Sequence, residues 1–388
     1  MRGRKKLRVG VLFGGRSSEH EISLRSALTV ISALDPARYA VIPIGITRDG
    51  RWYLRDDALA YLRVAAPKLR ALNRAGLPIN LPPYPGGFHL VATARAKTRG
   101  HQARQEAIAT PDVIFPVLHG TYGEDGTIQG LLELAGIAYV GAGVLGSAIG
   151  MDKEIQKRLL RDAGLPVVRF HALTRSAYEE DSRLPIRLAD DLGYPLFVKP
   201  NTLGSSVGIS RVAERKSRAA ALDEAFQYDR KVLLEAACPG REFECAVLGN
   251  DRPEASLPGE VIVRGGHEFY SYESKYVDPD GATIQVPAEL PHDVRERIRE
   301  CAVAAFGTLG LRGMARVDFL ANHDLSELYI NEVNTIPGFT TISMYPRMWE
   351  ASGLSLPRLI DRLIELALED HDARSRLKYS YLPDSKRL

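Results

Sequence analysis

Arg316-Val317-Asp318 and Glu332-Val333-Asn334 are two short alternating stretches in the last quarter of the chain. In an extended strand, side chains two residues apart point to the same face. If the two strands pair, the oxygens of Asp318, Glu332 and Asn334 converge beside the guanidinium of Arg316. Magnesium prefers such oxygens, and an arginine fits there when phosphates or a developing oxyanion share the site. A polar face on an antiparallel sheet explains the two stretches equally well, so other segments must decide.

Length and composition indicate a soluble globular protein. The chain has 388 residues, of which 45% are hydrophobic and 26% charged, enough for two or three domains. No apolar run approaches the roughly 20 residues of a membrane helix. The basic start, Arg2 to Arg8, precedes only a short strand-like segment, unlike a signal peptide. We therefore expect a cytoplasmic protein without a membrane partner.

The cysteines and the net charge argue against a cysteine metal site and against nucleic-acid binding. Cys238, Cys245 and Cys301 lack metal-ligand spacing and are expected to be reduced thiols. The net charge of +3 is concentrated in residues 61–110, which carry eight Lys or Arg against Glu106 alone. Because this stretch has no interleaved aromatic residues, we expect a solvated surface segment and no nucleic-acid partner.

The first unit, residues 1–141, follows a strand-helix-strand pattern. Residues 7–13, 39–46 and 113–117 are expected strands, and residues 21–34 an expected helix. This order predicts a small open parallel sheet with ligands at the strand ends. Residues 55–110 contain a cluster of turn formers and are expected to be an insertion on this unit.

Two α+β units are expected to follow, at residues 142–239 and 240–388. The second unit begins with a helix over 152–163 and includes a strand that ends at Lys199. The third unit contains a polar loop from 264 to 281, a long helix over 293–309, the two opening strands and a closing helix over 356–369.

A loop of small and hydroxyl residues, Asn201 to Gly208, is a candidate anion site in the second unit. Its backbone N–H groups could close around a phosphate, with the ammonium groups of Lys153 and Lys199 facing it. The loop is not a P-loop, since no Lys-Ser or Lys-Thr follows its glycines. A surface turn and two surface charges are the alternative interpretation.

Two acidic segments could contact a ligand. Glu235 and Glu242 flank a Cys-Pro-Gly turn that could pass beneath a nucleotide, offering backbone groups to an adenine and a carboxylate to a ribose. Glu19 follows the Gly14-Gly15 turn after the first strand and could accept a substrate ammonium group. A solvated linker and a helix cap by Ser18 are the structural alternatives.

Two further segments are dense in glycine and polar residues. His119 to Gly126 follows a buried strand, and a purely structural loop would rarely need so many charged residues. Pro337 to Ser343 directly follows the proposed magnesium strand. Its N–H groups and the Ser343 hydroxyl could bind a carboxylate, although a simple turn has the same composition.

In combination these segments resemble the D-alanine:D-alanine ligases, a family of the ATP-grasp superfamily, from about Arg8 to Glu369. His119-Gly-Thr-Tyr-Gly-Glu-Asp-Gly-Thr-Ile-Gln-Gly130 is similar to the first signature of the family. Gly313-Met-Ala-Arg-Val-Asp318 with Asn331-Glu-Val-Asn-Thr-Ile-Pro-Gly338 is similar to the second. The insertion before Pro111 resembles the longer members, but its role stays open.

The resemblance implies the ATP-grasp fold, of mixed α/β and α+β class, with three domains. An N-terminal open parallel sheet would roof the D-alanine sites, and the two α+β domains would sandwich ATP. ATP would phosphorylate the carboxylate of one D-alanine, and the amine of a second would attack the acyl phosphate. Positioning and charge neutralisation would dominate such phosphoryl and acyl transfer.

The resemblance also implies roles for individual residues. Glu19 would hold the ammonium group of the first D-alanine in a hydrogen-bonded triad with Ser205 and Tyr276. Arg316 and the Gly338 N–H would stabilise the oxyanion, and Ser343 and His119 would contact substrate. The nucleotide would contact Lys153, Lys199, Ser206, Glu235, Ala237, Cys238, Glu242 and Lys275. Two Mg²⁺ (or Mn²⁺) ions would be bound by Asp318, Glu332 and Asn334.

The sequence departs from the family pattern at one point and is compatible with two other functions. Ala236-Ala237 replaces a bulkier pair seen in some relatives, so the resemblance implies the adenine pocket but not each contact within it. Another ATP-grasp ligase, such as one joining D-alanine to D-lactate, and a catalytically silent nucleotide sensor are the alternatives. The resemblance implies a homodimer, with D-alanine and ATP as the small-molecule partners.

Overall fold

The structure, a computed structural model, describes residues 5–66, 68, 70–85, 90–92, 107–264 and 281–379. The described residues form one mixed sheet in the N-terminal part and two antiparallel sheets after it. The central and C-terminal sheets face a common cavity, described below.

The N-terminal sheet has the order β6-β5-β4-β3-β2-β1-β7-β8. Its strands are β1 Leu7–Gly14, β2 Tyr39–Ile46, β3 Trp52–Leu54, β4 Leu77–Asn80, β5 Leu90–Ala92, β6 Ala107–Ala109, β7 Val113–Pro116 and β8 Ala138–Tyr139. Its helices are α1 His20–Ala33, α2 Ala58–Ala65 and α3 Thr127–Ala135.

The middle of this sheet is parallel, as the sequence predicts. β1 pairs in parallel with β2 and β7, and β7 with β8. β1 is buried continuously from Val9 onwards, which is typical of a parallel strand covered on both faces. Gly14 ends it with φ of +91°, and a Cβ there would lie 2.2 Å from the Ile46 carbonyl oxygen. Only glycine therefore fits this turn.

The prediction of a small open parallel sheet is incomplete, because four further strands extend the sheet, three of them within the insertion. β3, β4, β5 and β6 continue it in antiparallel order beyond β2. Their three- and four-residue lengths, interrupted by Pro and Gly, hide them from pattern analysis. Arg55 anchors this region: it is 1% exposed, lies 2.9 Å from Asp57 and stacks over Tyr61.

The helices α4 Val144–Met151 and α5 Lys153–Asp162 follow the first sheet. Asp152 caps α5 by accepting a hydrogen bond from the Ile155 N–H at 3.0 Å. Gln156 on α5 donates to the Val333 carbonyl and accepts from the Val333 N–H. These two bonds attach α5 to the C-terminal sheet. The boundaries at 141 and 239 stay predictions.

The central sheet has the order β11-β10-β12-β9 and is antiparallel throughout. Its strands are β9 Phe170–Thr174, β10 Leu196–Pro200, β11 Ser210–Val212 and β12 Lys231–Ala236. Its helices are α6 Arg175–Glu180, α7 Leu184–Leu192 and α8 Arg218–Tyr228, preceded by a 3₁₀ turn at Arg215–Ser217.

The C-terminal sheet has the order β16-β15-β13-β17-β18, with β14 beside β13. Its strands are β13 Arg241–Gly249, β14 Glu254–Ala255, β15 Gly259–Val263, β16 Ala282–Gln285, β17 Gly313–Ala321 and β18 Leu328–Asn334. Its helices are α9 His292–Thr308, α10 Met344–Ala351 and α11 Leu356–Ser375.

The pairing of the two opening stretches is confirmed. β17 and β18 are antiparallel neighbours, and their register places Arg316 opposite Asn334 and Asp318 opposite Glu332. A register shift follows Asp318. The sequence pattern therefore identifies both the strands and the face on which their polar side chains meet.

Helix α11 joins the first and last parts of the fold. Its apolar side packs in one core with Val9 and Phe13 of β1 and with Met314 of β17. Tyr39 donates a hydrogen bond to Asp361 of α11 at 2.6 Å. Among the residues that the structure describes, no helix is long and apolar enough to cross a membrane.

We predict that Leu363→Ala lowers the free energy of unfolding by about 2–5 kcal/mol, because it leaves a cavity in this shared core. Leu363 is 0% exposed. Leu377→Ala makes the same chemical change at a residue that is 61% exposed, and its effect should stay within about 0.5 kcal/mol. Urea unfolding measures both; equal effects would contradict the assignment of this core.

Candidate functional site

A cavity of about 550 Å³ lies between the central and C-terminal sheets. Both sheets and the loop 201–208 contribute to its wall. Ten of the predicted site residues line it: Lys153, Lys199, Ser205, Ser206, Glu235, Ala237, Cys238, Glu242, Asp318 and Glu332. The structure thus brings most of the predicted nucleotide and metal residues to one cavity.

A hydrogen bond from the first residue of α5 holds the loop 201–208 in place. Lys153 is the first residue of α5, and its Nζ donates to the Leu203 carbonyl at 2.7 Å and lies 3.5 Å from Glu332 Oε2. Ser205 and Ser206 have φ of 52° and 59°, a left-handed conformation that non-glycine residues adopt only when surroundings enforce it. The loop is therefore held against the cavity by contacts, not by its own preference.

Three charged side chains form a buried cluster at the cavity floor. The carboxylate of Glu235 lies 2.5 Å from Lys199 Nζ and 2.9 Å from Lys157 Nζ. Burial alone would raise the pKa of Glu235, but the two lysines hold that pKa below its usual value. Burial alone would lower the pKa of Lys199, and Glu235 raises it. The Glu235 carboxylate therefore lies between two lysines, and both Glu235 and Lys199 line the cavity.

The candidate metal residues lie on the facing sheet. Asn334 Nδ2 donates to Asp318 Oδ2 at 2.9 Å, and the register brings Glu332 opposite Asp318. Within the described part of the chain, no group of three His, Cys, Asp or Glu side chains is arranged to hold a metal ion. The candidate set instead has two carboxylates and one amide, hard oxygen donors that suit Mg²⁺.

Arg316 lies beside this set and is paired twice. Its guanidinium donates two hydrogen bonds of 2.7 Å to Asp318, and its Nε lies 2.9 Å from Glu244 Oε2. Burial opposes its charge, but Asp318 and Glu244 raise its pKa well above the ordinary value. Arg316 is therefore a permanent cation next to the candidate metal residues.

Glu19 links the N-terminal sheet to the loop 201–208. The Ser205 hydroxyl donates a hydrogen bond to the Glu19 carboxylate. The other carboxylate oxygen lies against glycines, so that a Cβ at Gly120 would be 2.9 Å and one at Gly204 3.2 Å from it. Two members of the predicted triad are thus in contact. Tyr276, the third, lies outside the described residues, as does Lys275.

His119 is buried and belongs to a network of polar contacts near Glu19. Its Nε2 is 3.0 Å from the Ser26 hydroxyl, and its Nδ1 is 3.1 Å from the Ile336 carbonyl and 3.5 Å from Glu124. Burial alone would lower the pKa of His119, but pairing with Glu124 raises it. The network fixes the segment that leads to Gly338.

Gly338 and Ser343 face each other across a short turn. A Cβ on Gly338 would lie 2.8 Å from Ser343 Oγ, which no real side chain accommodates without movement. The Ser343 hydroxyl accepts a hydrogen bond from the Thr340 N–H at 3.0 Å, and the Phe339 N–H donates to Ser26 at 3.2 Å. The turn is therefore preorganised before a ligand binds.

Sequence reasoning assigned no role of their own to three charged residues of the site: the buried Lys157 and Glu244 and the half-buried Glu124. A signal existed for two of them. Lys157 is four residues after Lys153 and so shares its helix face, and Glu244 alternates with Glu242 on one face of β13. Glu124 belongs to the polar segment His119 to Gly126, but nothing in that segment predicts its pairing with His119.

His20 connects the glycine turn before Glu19 to the insertion. Its Nε2 accepts a hydrogen bond from the Leu72 N–H at 3.0 Å, so its Nδ1 carries the proton and donates to the Gly15 carbonyl at 2.7 Å. The ring is 0% exposed, and burial lowers its pKa. A neutral His20 thus holds both segments.

Comparison with known families is consistent with this site. The profile of the D-ala D-ala ligase N-terminus matches residues 8–142, and that of the D-ala D-ala ligase C-terminus matches residues 159–365. The chain is 48% identical to the D-alanine–D-alanine ligase of Shouchella clausii over 97% of this chain and 98% of that protein. It is 50% identical to D-alanine–D-alanine ligase A of Chromobacterium violaceum, over 94% and 96%.

Two solved structures are similar throughout. The D-alanine-D-alanine ligase from Coxiella burnetii superposes with a TM-score of 0.80 at 39% identity, covering 96% of this chain and 97% of that one. The VanG D-Ala:D-Ser ligase from Enterococcus faecalis gives 0.79 at 35% identity, covering 94% and 100%. The two facing sheets and the similarity to these solved structures place the chain in the ATP-grasp class of ligases. The chain belongs to the D-alanine–D-alanine ligase family.

We predict that His20 makes folding more favourable at high pH. Because its folded-state pKa is depressed, the unfolded chain takes up the proton first as the pH falls below about 6.5. The contribution of neutral His20 to the free energy of unfolding is full above about pH 6.5. It is lost as the pH falls from there to the folded-state pKa. The difference in unfolding free energy between pH 8 and pH 5 should shrink in His20→Gln. The exposed His323→Gln is the control, and parallel profiles in wild type and His20→Gln would contradict the prediction.

Proposed function

We propose that the protein joins two D-alanine molecules into D-alanyl-D-alanine, converting ATP to ADP and phosphate, for peptidoglycan precursor synthesis. The observation that supports this best is the cavity between the two antiparallel sheets. Lys153 and Lys199 contribute cationic groups to its wall, and Asp318 and Glu332 contribute carboxylates. Such a cavity suits a nucleotide with its metal ions, and membership of the ligase family supplies the reaction.

In the first step, a carboxylate oxygen of one D-alanine attacks the γ-phosphorus of ATP, and the bond to ADP breaks. Lys153 and Lys199 would face the phosphates, and Ser206 and the N–H groups of its loop would cover them. Lys275 is proposed here from the family resemblance alone. Positioning and charge neutralisation would supply most of the acceleration, since the protein makes no covalent bond.

In the second step, the amine nitrogen of another D-alanine attacks the acyl carbon, and the tetrahedral intermediate expels phosphate. Arg316 and the Gly338 N–H would stabilise the oxyanion. Arg316 suits this role because its pKa is raised, so that its charge is permanent.

The two D-alanine sites are proposed to lie under the N-terminal sheet. Glu19 would accept the ammonium group of the first D-alanine, held by Ser205 and, by resemblance, Tyr276. Ser343 would bind the carboxylate of the second, close to Gly338. His119 would orient this side through its contact with the Ile336 carbonyl.

The adenosine part of ATP is proposed to lie against residues 235–242. Ala237 and Cys238 line the cavity and offer backbone groups to the adenine. Glu242 lines the same cavity and would bind the ribose hydroxyls. Glu235 would contribute mainly through its backbone, because its carboxylate already lies against Lys157 and Lys199.

Asp318, Glu332 and Asn334 are proposed to hold two Mg²⁺ (or Mn²⁺) ions, which when bound would neutralise phosphate charge. In the structure Arg316 forms an ion pair with the Asp318 carboxylate. During the reaction its guanidinium would turn towards the oxyanion. The proposed location is the cytoplasm, where ATP is available, and the proposed assembly is a homodimer. These last two points rest on the family resemblance.

Incubation with MgATP and D-alanine should give D-alanyl-D-alanine, detected by mass, with one ADP and one phosphate per dipeptide. Equal concentrations of D-serine and D-lactate should leave the D-alanine dipeptide as the main product near neutral pH. The D-serine arm is included because the D-Ala:D-Ser ligase is a structural neighbour. Folded protein that makes no dipeptide, or mainly a mixed product, would overturn the proposal.

Glu332→Gln and Asp318→Asn are expected to fold normally and to lose roughly 100-fold or more in turnover. Each variant removes a negative charge without changing size, which weakens stabilisation by the metal ions by several kcal/mol. Glu327→Gln makes the same change at an exposed residue just before β18 and should keep full activity. Turnover measured against Mg²⁺ concentration decides; near wild-type activity in Glu332→Gln would exclude this metal site.

A further inference from the structure

Lys157 is a buried cation behind the wall of the nucleotide cavity. Its side chain is 1% exposed, and its Nζ lies 2.9 Å from Glu235 Oε2. The other oxygen of the same carboxylate lies 2.5 Å from Lys199 Nζ. Glu235 and Lys199 line the cavity, whereas Lys157 does not. The carboxylate therefore separates one lysine that can meet a ligand from one that cannot.

The charges of this cluster explain why two lysines share one carboxylate. Lys199 and Glu235 alone would form a neutral pair, and a neutral pair attracts phosphate weakly. With Lys157 the cluster carries a net charge of +1, within a buried region where charges interact strongly. Lys157 thus offsets the carboxylate that would otherwise cancel Lys199.

The position of Lys157 does not depend on its own ion pair. Gln156, the preceding residue, forms two hydrogen bonds with the backbone of Val333 on β18. Asp152 caps the same helix. Lys157 is therefore held at the cluster by the packing of α5, and its replacement should not move the helix.

We propose that Lys157 is a positioning residue for ATP, which neutralises Glu235 from behind so that the charge of Lys199 stays available to the phosphates. The inference rests on the proposed function and names the part of ATP on which Lys157 acts. Lys157 touches neither substrate nor nucleotide. Its effect is electrostatic and should be confined to ligands that carry phosphate.

The lowered pKa of Glu235 and the raised pKa of Lys199 both favour the charged forms that this role requires. The pKa of Glu235 is held below its usual value, against the effect of burial, by Lys157 and Lys199, which corresponds to an ionised carboxylate. Burial lowers the pKa of Lys157, and the attraction of Glu235 opposes that change.

The test compares a charged ligand with an uncharged one. Titration calorimetry with MgADP and with adenosine is carried out on the full-length wild type, Lys157→Met, Glu235→Gln and the double variant. Lys157→Met should weaken MgADP binding by about tenfold or more and adenosine binding by less than about twofold. The double variant has Lys199 alone and regains the charge of +1. It should recover MgADP affinity to within about threefold of wild type.

Controls separate this role from a purely structural one. Arg158→Met removes the neighbouring charge on α5, which is 59% exposed, and should leave both affinities unchanged. Lys157→Gln keeps a donor for Glu235 and should reproduce Lys157→Met, which keeps the test decisive if the methionine variant unfolds. In steady-state assays the KM for ATP should rise while the KM for D-alanine stays constant.

Three results would overturn the inference. Equal losses for MgADP and adenosine would assign Lys157 to packing alone. Unchanged MgADP affinity in Lys157→Met would show that the nucleotide does not sense this charge. A double variant no better than Lys157→Met would exclude charge compensation. Dipeptide synthesis by the wild type tests the proposed function separately, so either claim can fail without the other.

Discussion

Buried ionic groups must be paired, and this constraint governs the arrangement of the cavity. Removing an ion from water costs several kcal/mol, which only close partners offset. In each of the two facing sheets a cation of the candidate site is backed by a buried carboxylate: Glu235 backs Lys199, and Glu244 backs Arg316. The carboxylates fix where the cations point. They also reduce the positive charge that a ligand would meet, and this is the effect that we propose Lys157 offsets at Glu235.

The sequence predicts the parts of the site that depend on local geometry. Asp318 and Glu332 could be placed on one face because strand side chains alternate, and the register of β17 and β18 confirms it. Lys157 shares a helix face with Lys153, but that spacing does not show whether the face is buried, so sequence reasoning assigned Lys157 no role. Arg158, its neighbour, has the same charge and is largely exposed. Only the packing of α5 on β18 tells them apart.

The insertion contains secondary structure that the sequence pattern does not predict. Its strands are three or four residues long, too short for alternation to reveal, so the sheet was predicted without them. His20 accounts for part of its attachment by accepting a hydrogen bond from the Leu72 N–H, and Arg55 donates to Asn73 within the insertion. The buried Arg55 contradicts the usual rule that arginine is exposed, whereas histidine is commonly of intermediate burial. Tertiary hydrogen bonding overrides that rule here.

The loop 201–208 depends on all three sheets at once. Lys153, on a helix attached to the C-terminal sheet, donates to the Leu203 carbonyl, and Ser205 donates to Glu19 beneath the N-terminal sheet. The left-handed backbone at Ser205 and Ser206 is unfavourable for serine, so these contacts are needed to maintain it. A substrate ammonium group at Glu19 would share this carboxylate with the Ser205 hydroxyl, which donates to one of its two oxygens. Occupation of the proposed D-alanine site would therefore act directly on the loop that faces the nucleotide cavity, because one carboxylate contacts both the loop and the proposed ligand.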